Sequence, residues 1–236
     1  METDILLKGA LAMGVSIPEG ADEIFRKYYE FLEEKNKVMN LTAINGWEDT
    51  VRLHFLDSLA LLNSCGKKGN RVIDIGSGAG FPGLPLKIAE PGICLTLLDA
   101  QQKRVDFLAE LCQRLHFDDV TCIQARAEEQ ARKPGWRDAF DFAVSRAVAR
   151  LNVLSELCLP FVKPGGAFIA MKSRDTDEEI EEAGESIKKL GGLLEGVMDY
   201  TVPETDIIRR AVLIRKISAT PQAYPRRFAK IQKQPL

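Results

Sequence analysis

The stretch VIDIGSGAGFPGLPLKI, residues 72–88, opens with an apolar run holding one acid, Asp74, and then sets Gly76, Gly78, Gly80 and Gly83 within eight residues. The run reads as a strand. The glycines read as a tight turn into a helix that begins near Pro82, whose fixed φ and missing N–H suit a first helical turn. Glycine also lets a ligand approach the main chain closely. In open parallel sheets, ligands bind at the carboxyl ends of strands, where this turn falls.

The rest of the chain fits a sheet of that kind. CLTLLD (94–99), VTCIQA (120–125), FDFAVS (140–145) and GAFIAM (166–171) are short runs of strand formers. Segments of helical length separate most of them; in KRVDFLAELCQRL (103–115), Val105, Leu108, Leu111, Cys112 and Leu115 share one face. Such alternation predicts parallel strands with crossover helices. TDEEIEEAGESIKKLGG (176–192) predicts a helix capped by Thr176, with acids in its first turn and lysines in its last. VMDYTV (197–202) and AVLIRKI (211–217) predict a hairpin at one sheet edge. Ahead of the sheet, Ile24, Phe25, Tyr28, Phe31 and Leu32 recur at helical spacing over Ala21–Val38. A second helix runs from Trp47 to Leu62, with Val51, Phe55, Leu59 and Leu62 on one face. The expected organisation is a helical cap (1–65), an α/β unit (66–220) and a basic tail (221–236).

A chain of 236 residues, 45% hydrophobic, suits one α/β domain with an appendage. A net charge of −2 excludes a uniformly basic nucleic-acid binder, so any such contact must be local. Cys65, Cys94, Cys112, Cys122 and Cys158 form no CxxC pair, and their number is odd. Cys94 and Cys122 read as small core residues, a reduced cytoplasmic setting is expected, and no metal site is. METDILLKGA lacks a leader pattern, and no uncharged apolar run is long enough for a bilayer.

Two ligands compete for the glycine turn. Gly78, Gly80 and Gly83 satisfy the dinucleotide pattern GxGxxG, and Asp99 lies where a ribose-binding acid should. That pattern should start directly after the strand, at Gly76, yet position 81 is Phe. The alternative, D-x-G-x-G-x-G from Asp74, resembles the first motif of S-adenosylmethionine-dependent methyltransferases. An acid beside the turn suits an ammonium and a sulfonium and is unwelcome beside a diphosphate. Asp99 binds ribose in either case. A glycine turn without any ligand is the third reading.

NLTAI (40–44), HFLDSL (54–59), the glycine turn, LLDAQQKRVDFL (97–108), ARAEE (125–129), SRA (145–147) and YPRR (224–227) together resemble the RsmG family. These are guanine-N7 methyltransferases of small-subunit ribosomal RNA, formerly called glucose-inhibited division protein B. The resemblance spans nearly the whole chain. It implies a Rossmann-like methyltransferase fold, mostly parallel and seven-stranded, with S-adenosylmethionine as cofactor. It also implies a monomeric cytoplasmic enzyme acting on small-subunit RNA, free or in an assembly particle, with no DNA or membrane partner. Carried over by position, Gly76, Gly78 and Phe81 line the cofactor beside Asp74 and Asp99. Ala127 and Glu128 flank the adenine, and Arg146 reaches the cofactor or the target. His54 and Asp57, three apart on a helix, contact RNA, close over the cofactor or bond the cap to the core. Asn40 and Thr42 stand near the target base or cap a turn. Lys103 and Arg104 face solvent or form an ion pair at the cofactor mouth. The acidic run 177–185 is a solvated face turned away from RNA. Arg226, Arg227, Lys230 and Lys233, with Tyr224 and Phe228, form a tail for phosphates and bases. Truncation after Pro221 is then expected to weaken RNA binding and spare the cofactor.

The fourth strand's end carries Ser145-Arg146-Ala147 in place of the [N/D]-P-P-[Y/F] motif that serves exocyclic amines, and no cysteine nucleophile for carbon methylation. Guanine N7 offers an in-plane lone pair and bears no proton. Attack from it needs alignment and no general base, with Arg146 orienting the base through O6.

Overall fold

The computed structural model describes residues 4–146 and 149–236, so Ala147 of the SRA run lies outside the described residues. Its centre is a seven-stranded sheet ordered β3-β2-β1-β4-β5-β7-β6. The strands are β1 (Arg71–Ile75), β2 (Cys94–Asp99), β3 (Thr121–Gln124), β4 (Phe140–Arg146), β5 (Val162–Ser173), β6 (Gly192–Thr201) and β7 (Ile208–Lys216). Strands β1 to β5 pair in parallel, and β7 runs antiparallel to both β5 and β6. The last two strands are thus the edge hairpin that their close spacing predicts. After β3 the chain returns past β1 to place β4 on its other side. The winding reverses there and leaves a crevice at the carboxyl ends of β1 and β4. The glycine turn and Arg146 both stand at that crevice.

The helices are α1 (Asp4–Ala12), α2 (Ala21–Met39), α3 (Trp47–Thr50), α4 (Asp57–Leu59), α5 (Leu62–Cys65), α6 (Gly83–Ala89), α7 (Gln102–Arg114), α8 (Ala127–Gln130), α9 (Leu151–Cys158), α10 (Asp177–Lys189) and α11 (Phe228–Lys233). Helix α1 has no counterpart in the sequence reading. It buries Leu6 and Ala10 against the cap. α3 continues into α4 through a π-helical stretch, Val51–Leu56, and the chain unwinds at Ala60 and Leu61. The break shifts the buried face: Leu61 joins the core, and the expected Leu62 is only partly covered.

The cap shares its core with the sheet. Tyr28 stacks on Phe81 with centroids 5.3 Å apart, and Phe31 stacks on Phe107 at 5.3 Å. The Tyr28 hydroxyl donates to Ala79 O at 2.5 Å. Residue 65 therefore does not separate two cores, and the glycine turn is clamped from the cap side.

Four expectations change. The segment after Pro221 is docked rather than free. Arg226 grips the fully buried Glu156, with Nη2 at 2.6 Å from one carboxylate oxygen, and Ile231 is fully buried. Arg132 and Arg137 bond the carbonyls of Pro225, Tyr224 and Thr220. Arg226 is thus unavailable to phosphates, and truncation after Pro221 would strand a buried carboxylate, so it tests folding. Next, Cys94 is exposed and Cys122 half-buried, because both lie near the sheet margin, while Cys112 sits 4.0 Å from Cys122. The Thr176 hydroxyl donates back to Ser173 O instead of capping α10. The acidic face of α10 is not wholly solvated either: Glu179 turns inward and pairs with Lys172.

Candidate active site

Two cavities open at the carboxyl ends of the central strands, with His54 and Arg146 common to both. The first, about 450 Å³, lies against the glycine turn and is bounded by Gly76–Ala79, Phe81, Asp99–Gln101, Arg104 and Thr42. The second, about 430 Å³, is bounded by Leu53, Asp57, Met171–Ser173, Glu179, Tyr200 and Arg209. Both volumes lie within the usual range of small-molecule sites.

The turn needs its glycines for two different reasons. Gly78 has φ 58°, and a Cβ there would meet nothing nearer than Gly76 O at 3.9 Å, so it would stand in the cavity itself. Gly80 has φ 101°, and a Cβ there would fall 2.6 Å from the Tyr28 hydroxyl, closing the space where the cap docks.

The N–H groups of the turn are mostly spent within the protein. Gly76 N and Ser77 N donate to Leu98 O, and Gly80 N and Phe81 N to Ser77 O. Gly78 N donates to Asp99 Oδ2 at 3.0 Å. At the start of α6, Gly83 N donates to Asp74 Oδ2 at 2.9 Å. A diphosphate site needs free N–H groups and an open helix N-terminus. Here a carboxylate already occupies that terminus, which argues against the dinucleotide reading.

Asp74 is fully buried and is not among the residues bounding the cavity. It was expected to face the ligand; instead it holds the turn to α6 from beneath. Burial pushes its carboxyl up to about 7, against the lowering effects of the Gly83 N–H and Arg146. Asp99 does reach the cavity. Its Oδ1 accepts from Gln101 N at 2.9 Å, and Oδ2 takes Gly78 N and Arg104 Nη1 at 3.5 Å. A carboxylate has about four lone-pair sites, so one remains for a ligand hydroxyl. Of the two readings of Arg104, solvent-facing or paired, the structure shows the ion pair with Asp99.

Arg146, at the end of β4, organises the common wall. Its Nη1 donates to Leu53 O at 3.2 Å and to Asp57 Oδ2 at 3.1 Å, and its guanidinium lies 4.8 Å above the Phe81 ring. Its Nη2 lies 2.9 Å from His54 Nδ1. A guanidinium can only donate, so His54 Nδ1 accepts and the ring proton sits on Nε2. That N–H donates to Thr42 Oγ1 at 2.8 Å. Burial first, and then the Arg146 charge, lower His54 to about 3, so its ring is neutral at physiological pH. The ring also stacks on Phe81 with centroids 4.3 Å apart. The π-helical stretch turns His54 and Asp57 to the same arginine; the expected cap-to-core hydrogen bonds are present. Tyr200 closes the web by donating to Asp57 Oδ1 at 2.8 Å, and burial together with that carboxylate raises its phenol.

Other expected residues stand apart. Asn40 is exposed and ends α2 in the left-handed conformation, φ 51°, a role asparagine fills readily. It bounds neither cavity; of the loop that follows, Leu41 and Thr42 bound the first and Ile44 the second. Ala127 and Glu128 open α8, and neither bounds the loop cavity. Glu128 borders a third cavity, about 740 Å³, between α8 and α11. Yet the chain leading to them adjoins the loop cavity, since Ala125 N donates to Asp99 O at 3.1 Å. Tyr200, Glu179 and Arg209 escape the sequence reading, because no local spacing links residues brought in from the hairpin and α10.

A family model described as rRNA small subunit methyltransferase G matches residues 21–207. The ribosomal RNA small subunit methyltransferase G of Lachnoclostridium phytofermentans is 45% identical over 236 residues, covering 100% of this chain and 98% of its own. That of Acetivibrio thermocellus is 43% identical, covering 98% and 96%. Among solved structures, an S-adenosylmethionine-dependent methyltransferase from Aquifex aeolicus superposes with TM-score 0.53 at 22% identity, covering 71% of this chain and 93% of that one. TYW2 of M. jannaschii, solved with AdoMet, gives TM-score 0.53 at 14% identity, covering 68% and 77%. At such identities these two establish the fold alone. The sequence relatives, matched end to end, place this chain in the rRNA small subunit methyltransferase G family.

Proposed function

We propose that this enzyme transfers a methyl group from S-adenosylmethionine to N7 of a guanine in small-subunit ribosomal RNA, as a cytoplasmic monomer. The observation that carries the reading is the loop cavity: most of its turn N–H groups and the helix terminus are already satisfied, and an acid with one free lone-pair site stands at its rim. That suits a ribose and a cationic sulfur compound and leaves no cradle for a diphosphate. Gly76, Gly78 and Phe81 line the cofactor, Asp99 takes its ribose, and the adenine extends toward Ala127 and Glu128. Asp74 supports the turn without contact. The cofactor, when bound, supplies an electrophilic methyl group.

The chain's own residues position and do not move protons. Arg146 Nη1 commits both hydrogens, to Leu53 O and Asp57, and Nη2 commits one to His54. A guanidinium has five N–H donors, so one on Nη2 and that on Nε remain for a substrate acceptor such as guanine O6. His54 is neutral with both ring nitrogens engaged, so it serves as a prop for Arg146 and Thr42. Alignment of this kind can supply about 7–11 kcal/mol of barrier lowering. No helix among the described residues is long and apolar enough to cross a membrane.

Nucleoside mass spectrometry of small-subunit RNA, with and without the gene, tests the reaction. Loss of one 7-methylguanosine on deletion is expected; an unchanged level eliminates the reading. A second expectation concerns pH. With no essential base, kcat under saturating RNA and cofactor should stay within about twofold between pH 6 and 9. A tenfold limb set by one side chain's ionisation would contradict the positioning role.

A further inference from the structure

The second cavity, behind Arg146, has polar groups that the reaction so far leaves unused. Asp57 has both oxygens bonded, Oδ2 by Arg146 and Oδ1 by Tyr200. Glu179, from α10, is different: only its Oε1 is bonded, by Lys172, among the described residues. Its carboxylate is 16% exposed and lies in the cavity wall opposite the cap. Arg209, from β7, also bounds the cavity; its buried Nε has no partner, and no acid pairs with it among the described residues. An unpaired guanidinium with an orphaned donor points to an anion as its missing partner.

Resting on the methyl-transfer reading above, we propose that this cavity is the pocket for the target nucleotide. In it, Glu179 reads the guanine N1–H and N2–H₂ donors, and Arg209 holds the nucleotide's phosphate. The chemistry is complementary on both edges of the base. On the Hoogsteen edge, O6 meets the free donors of Arg146 at the wall shared with the loop cavity, which leaves the N7 lone pair free to attack the methyl group. The opposite edge presents two donors and meets Glu179, the lining carboxylate with an oxygen left unbonded among the described residues. Adenine lacks the N1 proton and would leave Glu179 unpaired, so the pocket rejects it. A target entering so deep must leave its stack, which suits a base in a single-stranded or opened segment.

The test titrates the intact protein, saturated with S-adenosylhomocysteine, with guanosine, inosine and adenosine 5′-monophosphates and with guanosine. Wild type should prefer guanosine monophosphate over both other nucleotides by about fivefold or more. Glu179→Gln, whose amide carbonyl can still accept from Lys172, should bring guanosine and inosine monophosphates within about twofold, while adenosine monophosphate, whose 6-amino group faces the Arg146 donors, stays weaker. Arg209→Gln should cut the preference for guanosine monophosphate over guanosine by about fivefold. Unchanged S-adenosylhomocysteine affinity reports an intact fold in each variant. A wild type that binds the three nucleotides equally, or a Glu179→Gln protein that keeps the full preference for guanosine over inosine monophosphate, overturns the guanine pocket. An unchanged phosphate preference in Arg209→Gln overturns its anion role. The titration needs no turnover, so it is read separately from any failure of the methylation assay.

Discussion

Arg146→Met is expected to lower kcat/KM for small-subunit RNA by about 100-fold or more, the scale on which an ångström of misplacement acts. The side chain is nearly isosteric along its stem but removes every donor. Asp57, 5% exposed, loses its charged partner and keeps only the Tyr200 hydroxyl. His54 loses the donor on Nδ1, and the wall between the two cavities loses the group that orients both. Arg146→Lys separates position from charge. It restores a cation near Asp57 but cannot reach Leu53 O, Asp57 and His54 together, so about a tenfold deficit should remain with a near-normal melting temperature. The His54 ring gives an independent reading by nuclear magnetic resonance. Arg146 is the second cause of its lowered pKa, so in Arg146→Met the ring should titrate upward from about 3 toward its ordinary 6.5. The same ring has a stability consequence. Between about 6.5 and 3 the unfolded chain takes up a proton that native His54 refuses, so this group's contribution is complete above pH 6.5 and is lost as pH falls. Full activity in Arg146→Met, or a fixed His54 titration, would remove the arginine from the centre of the site.

The second large effect lies far from the chemistry. Arg226→Ala leaves Glu156, fully buried on α9, without its bidentate partner and without three of the hydrogen bonds that satisfy it. Breaking one side of a buried pair costs about 3–5 kcal/mol, because the remaining charge is uncompensated. For a domain of this size that is a fall in Tm of about 10 °C. Exchanging both partners for apolar residues, Glu156→Leu with Arg226→Met, should recover most of the loss, since no charge is then stranded. A thermal melt of the three variants checks this. A single variant within about 2 °C of wild type would mean that the C-terminal segment is held by Ile231 and its neighbours alone.

How far the sequence disclosed all this depends on the range of each interaction. The strands and crossover helices were legible because their apolar periods are local, and the glycine turn because its backbone demands a residue type. Arg146 and His54 were found through motif position, yet their partnership joins residues 92 apart in the chain and has no periodic trace. Asp74 misled for the same reason. An acid beside a glycine turn looks like a ligand group, and only the fold shows that it is buried beneath the turn with one oxygen on the Gly83 N–H. Asn40 and the C-terminal arginines misled in composition. A polar loop and a basic tail both read as RNA contacts, whereas Asn40 supplies a helix end and Arg226 neutralises a carboxylate buried 70 positions away. Glu179 sat within an acidic run whose pattern predicts solvent, and only the inward turn of α10 against Lys172 singles it out.

A crystal structure of the protein with S-adenosylhomocysteine tests the central claim most directly. The compound should lie against Gly76–Phe81 with its ribose on Asp99 and its sulfur facing the cavity that Arg146 shares, while Asp74 stays on the Gly83 N–H. Density in the groove between Arg126 and Phe228 instead, or a glycine turn left bare at saturating ligand, would contradict it.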